Sequence, residues 1–245
     1  MRNFALAIAL MANCNSAFTQ ETTFAPTNAW FTALNRFEIN DHWSISNELH
    51  ERFGDMFQSQ GHFLFRPSID YKITEGVIFY AGYTYIRSNS YDPYNSPVKA
   101  RVENNVWEQF LLVNKFGKWK LQHRLRQEHR WSDNIIVDSQ GNASIDGTNF
   151  ANRFRYRITA SRNIKSFENG QALFGAWFDE IWIPQGKGIL PQSFARNWMY
   201  VGLGWKFSKV FNVQTGYMHQ YDKVGDNYIS SPIWQTTITY NFFED

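Results

Sequence analysis

From Trp119 to Trp131 the chain reads W-K-L-Q-H-R-L-R-Q-E-H-R-W. Every second residue belongs to one of two sets. Trp119, Leu121, His123, Leu125, Gln127, His129 and Trp131 make one, and Lys120, Gln122, Arg124, Arg126, Glu128 and Arg130 make the other. Side chains alternate across a strand, so this period of two predicts an extended segment with one aromatic-aliphatic face and one charged face. A helix would spread both sets around its circumference. In a soluble sandwich the charged face would meet bulk water. Here tryptophans bound the strand at both ends and the pattern recurs, which points to a membrane barrel with a charged lumen.

The recurrences define the other strands. Residues 28–40 set Ala29, Phe31, Ala33, Phe37 and Ile39 against Arg36 and Glu38. Residues 42–53 set Trp43, Ile45, Leu49 and Phe53 against Ser44, Ser46, Glu48, His50 and Arg52. Residues 62–71 set Phe63, Phe65, Ile69 and Tyr71 against Arg66, Ser68 and Asp70, with Pro67 as a bulge or weak point, because proline cannot donate to the ladder. Residues 77–87 are aromatic on both faces; the favoured phase turns Phe79, Ala81, Tyr83 and Tyr85 outward and Gly82 and Thr84 inward. The phase of 103–114 is open. Residues 153–161 set Phe154, Tyr156 and Ile158 against Arg153, Arg155 and Arg157. Strands over 171–182, 196–207, 211–221 and 232–243 complete the set.

The fold class that follows is all-β: a closed antiparallel transmembrane β-barrel of 10–12 strands, with short periplasmic turns and longer extracellular loops. Short connections fall at 40–41, 72–76, 115–118, 163–170 and 208–209, and longer ones near 54–61, 88–102, 132–152, 184–195 and 222–231. The segment 132–152 is compatible with an exposed hairpin that extends two strands. Eleven segments are visible, and with an odd number the first and last run the same way. Bacterial single-chain barrels have even counts, so ten or twelve strands are expected, with 20–27 as one source of an extra short strand.

Composition adds a location. The first residues, Met1, Arg2 and Asn3, precede an apolar run from Phe4 to Met11 and then small and polar residues, the layout of a secretory signal. The expected division is a signal peptide over 1–19 and an outer-membrane barrel domain over 20–245; a cut after Ala17 is the alternative. The single cysteine, Cys14, lies inside the signal, so the mature chain has none. A lipoprotein would make Cys14 the first mature residue, but Asn13 before it is a poor fit. Mean hydropathy is −0.47, yet aromatic residues make up 18% of the chain, which suits girdles at two membrane interfaces. A net charge of +2 gives no footprint for nucleic acid.

Several segments resemble a family of small outer-membrane proteins, domain of unknown function 2490. They are HRLRQEHRW at 123–131, RFRYR at 153–157, FDEIW at 178–182, RNWMYVGLGWKFS with VQTGYMHQY across 196–221, and FTALNRFEINDHWSISNELHERF at 31–53. The resemblance implies an outer-membrane barrel of Gram-negative bacteria with Bacteroidota-like envelopes, and no assigned activity. The partners expected are membrane lipid and lipopolysaccharide, the barrel assembly machinery during biogenesis, and a small anionic solute, for a protein that acts as a monomer without a cofactor.

The candidate site is the lumen charge ladder: Arg124, Arg126, Glu128, Arg130, Arg153, Arg155, Arg157, Glu48, Arg52 and Glu180. Neighbouring antiparallel strands bring such side chains within reach. Carboxylates from across the lumen can then settle between the arginines. One reading is a structural plug, since a barrel near eight strands is filled by its own side chains. Another is a narrow anion-preferring pore. A third is an outer-membrane lipid-modifying enzyme of the acyl hydrolase type. Ser44, Ser46 and His50 share a face, but a nucleophile needs a base in reach and a third group orienting it, and one strand does not supply that. The histidines His42, His50, His62, His123, His129 and His219 show no metal-ligand clustering.

Overall fold

The computed structural model describes residues 22–89 and 99–242. The expected signal, Cys14 and the aromatic loop around Tyr91 and Tyr94 lie outside the described residues. The strands are β1 Thr22–Phe24, β2 Asn28–Glu38, β3 Trp43–Gly54, β4 Ser59–Thr74, β5 Val77–Ser88, β6 Arg101–Phe116, β7 Trp119–Val137, β8 Ala143–Ser166, β9 Ala172–Gly186, β10 Arg196–Lys206, β11 Phe211–Val224 and β12 Asn227–Phe242. From β2 to β12 each strand pairs antiparallel with its sequence neighbour, and β12 pairs back onto β2 to close a barrel.

The closing seam is parallel, running from Ile233↔Asn28 to Phe242↔Phe37. β1 lies on the same edge of β12, with Thr22↔Tyr228 and Phe24↔Ser230, and Pro26 separates it from β2. Thr22–Phe24 thus adds a short strand in line with β2 rather than a twelfth stave. The wall has eleven staves, β2 to β12, and the expected even count is not met. Slanted parallel bonds satisfy the same backbone groups that an antiparallel seam would, so the edge is removed all the same.

Trp119 pairs with Arg162, and the register continues through Gly175, Leu203, Thr215, Thr236, Phe31, Glu51, Phe63, Arg87 and Val102. The Val102 amide then donates to Asp133 Oδ2 at 2.8 Å, back on β7 but far up from Trp119. One circuit climbs most of a strand, so the staves are tilted steeply, at about 40°.

The two faces fall as alternation requires. Phe31, Trp43, Ile45, Leu49, Phe65, Ile69, Tyr83, Phe110, Trp119, Trp131, Val201, Trp234 and Ile238 are exposed on the outer wall. Thr84 is buried inside, as the favoured phase of β5 requires, and β6 turns Asn105, Trp107 and Gln109 inward. Pro67 forms no bulge: the β4–β5 register runs through it from Phe65↔Tyr85 to Ser68↔Gly82. Aromatic girdles account for only part of the aromatic content. Trp30, Trp107, Trp182, Trp198 and Tyr200 are buried in the lumen.

Two stretches read as long connections are tight turns on longer strands. Residues 55–58 join β3 to β4, with Asp55, Met56 and Phe57 at positive φ, and 225–226 join β11 to β12 around Gly225 at φ 62°. The 132–152 stretch is the extended β7–β8 hairpin, turning at 138–142. The 187–195 connection between β9 and β10 remains a longer loop.

Candidate functional site

Six arginines and three glutamates from five staves make one connected network across the lumen. Each residue arrives there because it occupies the inward parity of its strand. Glu180 on β9 is the most heavily used acceptor. Arg155 Nε donates to its Oε1 at 2.7 Å, Arg124 Nη2 to Oε1 at 2.5 Å, and Arg157 Nε to Oε2 at 2.9 Å. Glu128 on β7 accepts from Arg155 Nη1 at 2.8 Å and from Arg153 Nε at 2.6 Å. Glu48 on β3 accepts from Arg66 Nη1 at 2.5 Å. Arg126 joins the two halves, 3.9 Å from Glu48 and 4.0 Å from Glu128.

The network is dry. Arg126 and Glu128 are 1% exposed, Arg155 2% and Glu180 0%. An ion costs several kcal/mol to move out of water, so such groups persist only with close partners and filled hydrogen-bond capacity. Aromatic faces supply part of that. The Arg155 guanidinium lies 3.8 Å and Arg153 4.2 Å from the Trp182 ring centre, and Arg126 4.2 Å from Trp107. Trp182 packs on Trp198 at 4.5 Å, Trp198 on Trp30 at 5.3 Å, and Arg52 stacks on Trp30 at 3.9 Å. Tyr200, Met218 and Ile233 are buried in the same cluster as these rings.

Of the residues singled out from sequence, Arg124, Arg126, Glu128, Arg153, Arg155, Arg157, Glu48 and Glu180 come together in this one network. Arg130 stands apart, bonded to Glu103 through Nε at 2.9 Å and Nη2 at 2.5 Å. Arg52 belongs to the tryptophan stack. Arg66, on β4, completes the network through Glu48. The lumen tryptophans escaped sequence reading. Trp182 and Trp198 stand on inward parities beside Glu180 and Tyr200, which is the signal that would have found them.

The network separates two compartments of different character. Toward the 187–195 side stand Arg130 with Glu103 and Arg196 with Asp222, each cation matched by a carboxylate. Toward the short turns the lumen widens into a vestibule of about 630 Å³. Its wall carries Arg36, Arg66, Lys120, Arg124, Arg126, Arg157, Lys206 and Lys209, and one carboxylate, Glu48. Tyr80, Trp107, Gln109, Gln122, Thr159, Gln214 and Thr239 line the rest.

The serines and histidine that share β3 do not form a nucleophile with its base. Ser46 donates to Asp70, Ser44 accepts from Arg36 Nε at 3.1 Å, and His50 faces Thr32 at 2.9 Å and Glu48 at 3.2 Å. Outside the barrel, His123 meets Tyr156 at 2.7 Å and His129 meets Asn152 at 2.8 Å, so each lipid-facing ring has a polar partner. Among the described residues, no group of three or more His, Cys, Asp or Glu could hold a metal.

A family model described as a protein of unknown function, DUF2490, matches residues 27–229. A solved structure titled as the NanC porin in a rhombohedral crystal form is similar at 12% identity, over 87% of this chain and 97% of that one, with a TM-score of 0.47. No curated protein matches the sequence. The family match runs from the start of the wall into its last strand, and the chain is a member of the DUF2490 family, a small outer-membrane β-barrel.

Proposed function

We propose that the protein is a non-catalytic outer-membrane barrel whose lumen is closed at rest by the arginine–glutamate network. The observation that carries this reading is the burial of Arg126, Glu128, Arg155 and Glu180, whose side chains solvent barely reaches. A conducting path needs water or an ion at every level of the lumen, whereas guanidinium groups sandwiched between carboxylates and indole rings exclude both. The lipid-facing wall surrounds a monomer, inserted by the barrel assembly machinery among lipid and lipopolysaccharide. The same network would be a narrow anion-preferring path only if its arginines exchanged their carboxylates for a passing solute. The basic vestibule favours that as the second reading.

Conductance of the refolded protein in a planar bilayer under a salt gradient separates the two. The closed reading expects a silent bilayer for the native protein and steps after the double change Glu128→Ala with Arg155→Ala. Steady anion-selective steps in the native protein, lost when Arg124, Arg126, Arg153 and Arg155 are neutralised, would establish the pore instead.

A further inference from the structure

The charges of the network do not balance. Among the described residues, Arg66, Arg124, Arg126, Arg153, Arg155 and Arg157 share only Glu48, Glu128 and Glu180. Three guanidinium charges are left over inside a membrane-spanning wall. Two donors mark where the shortfall lies. Arg126 Nη1 and Arg124 Nε are sealed from solvent without a hydrogen-bond acceptor, and both side chains line the vestibule.

The vestibule adds cations of its own. Among the described residues no carboxylate pairs with Lys120, Lys206 or Lys209, and Lys120 lies within the field of Lys115, Lys206 and Arg36. Arg36 meets Glu38 only at 3.8 Å. The nearby Asp70 is engaged with Ser68, which donates to it at 2.7 Å, and with Ser46. Like charges on a concave, partly desolvated wall focus a positive potential, and guanidinium and ammonium groups converging from several staves suit an anion with more than one charged group.

We propose that the vestibule is a binding site for a small oligoanion bearing phosphate or carboxylate groups. The anion enters from the periplasmic, short-turn side and lies between Lys120, Lys206 and Arg36 near the mouth and Arg124 and Arg157 at the floor, with Arg126 buried behind them. It supplies the negative charge that the network lacks. The inference rests on the closed-lumen reading for its dead-end geometry, but its test does not.

Pyrophosphate and citrate are the probes, titrated by calorimetry into the refolded barrel in neutral detergent at low salt. Binding with Kd below about 1 mM is expected, weakened at least about tenfold by Lys120→Gln with Lys206→Gln and by about 0.5 M sodium chloride. Lys118→Gln, exposed in the β6–β7 turn, changes it less than about twofold. A built-in carboxylate gives the second arm: Thr159→Glu raises the melting midpoint and removes the probe's binding. The site is refuted by no heat of binding in the native barrel, by binding that survives the Lys120 and Lys206 changes, or by a Thr159→Glu barrel that melts lower and still binds. Conductance decides the closed lumen independently, so a conducting barrel that binds pyrophosphate overturns only that reading.

Discussion

Arg155 on β8 and Glu180 on β9 meet on the inner wall at 2.7 Å, and neither side chain reaches solvent. Arg155 also holds Glu128, so this one guanidinium ties two of the three network carboxylates together. Removing Glu180 would leave Arg124, Arg155 and Arg157 short of their shared acceptor. Breaking a buried pair by removing one partner costs about 3–5 kcal/mol. Glu180→Ala is therefore expected to melt well below the native barrel in a heat-modifiability gel. Arg157→Gln, which removes a partly exposed donor and relieves the positive excess, costs about 1 kcal/mol or less. Equal losses for the two would show that the network does not bear on stability as described.

Gly82 is a packing requirement set by Trp107. A Cβ at position 82 would collide with the Trp107 ring and lie 2.7 Å from the Pro67 carbonyl oxygen. The ring is held in place by its Nε1 bond to Thr84 Oγ1 at 2.9 Å and by Arg126 above it. Gly82→Ala should cost about 2 kcal/mol through overpacking. In a Trp107→Leu background part of that cost disappears, giving a coupling of about 1 kcal/mol in a double-mutant cycle of unfolding. Additive losses would place the indole elsewhere.

Outside the membrane, Asp138 organises the tip of the β7–β8 hairpin. Its carboxylate accepts from the amides of Gln140 at 2.9 Å and Asn142 at 2.8 Å, and from the Asn142 side chain at 3.0 Å. The Asn142 side chain and amide, chiefly, hold its pKa below the ordinary value of 3.8. A depressed carboxylate pKa contributes order that is complete above the unfolded value and fades as pH falls through the lower folded one. Hydrogen exchange at the amides of 140–142 should be slow at neutral pH and speed up, beyond the intrinsic pH trend, only below about pH 4. Asp138→Asn should accelerate it at neutral pH. No change in either case would mean that the turn at Gly141 holds itself.

Much of this molecule is legible in its alternation. The Trp119–Trp131 stretch shows its two faces directly, because a stave between lipid and a charged lumen has opposite demands on successive residues. The ladder arginines are legible for the same reason. Parity says less where aromatics serve both sides. Trp30, Trp107, Trp182 and Trp198 have the composition of girdle residues, yet they stack on guanidinium groups inside. The partners of each arginine also lay beyond sequence reading, since Arg124 and Glu180 meet from β7 and β9, with β8 between them. The eleven visible segments do imply a parallel seam; what misleads is the general rule of even counts, which the hydrophobic pattern of this chain does not itself contain.

That seam gives the sharpest test of the wall. Leu34 on β2 and Thr239 on β12 are register partners in the parallel ladder, and both line the vestibule. Neighbouring strands lie about 4.8 Å apart, within the Cα separation a disulfide spans. The chain's one cysteine is Cys14, so in a barrel produced without residues 1–19 the introduced thiols have no competitor. Leu34→Cys with Thr239→Cys should cross-link under mild oxidation in the folded barrel, giving a band of altered mobility that reductant abolishes. Leu34→Cys with Gln235→Cys should not, because Gln235 pairs with Trp30, four residues away and about 13 Å along the strand. Even-numbered closure would need another stave between these positions and would block the first cross-link. Cross-linking of the second pair in place of the first would move the register by four residues, an even shift that keeps the inward parity of β2 but carries Arg36 to another level of the lumen.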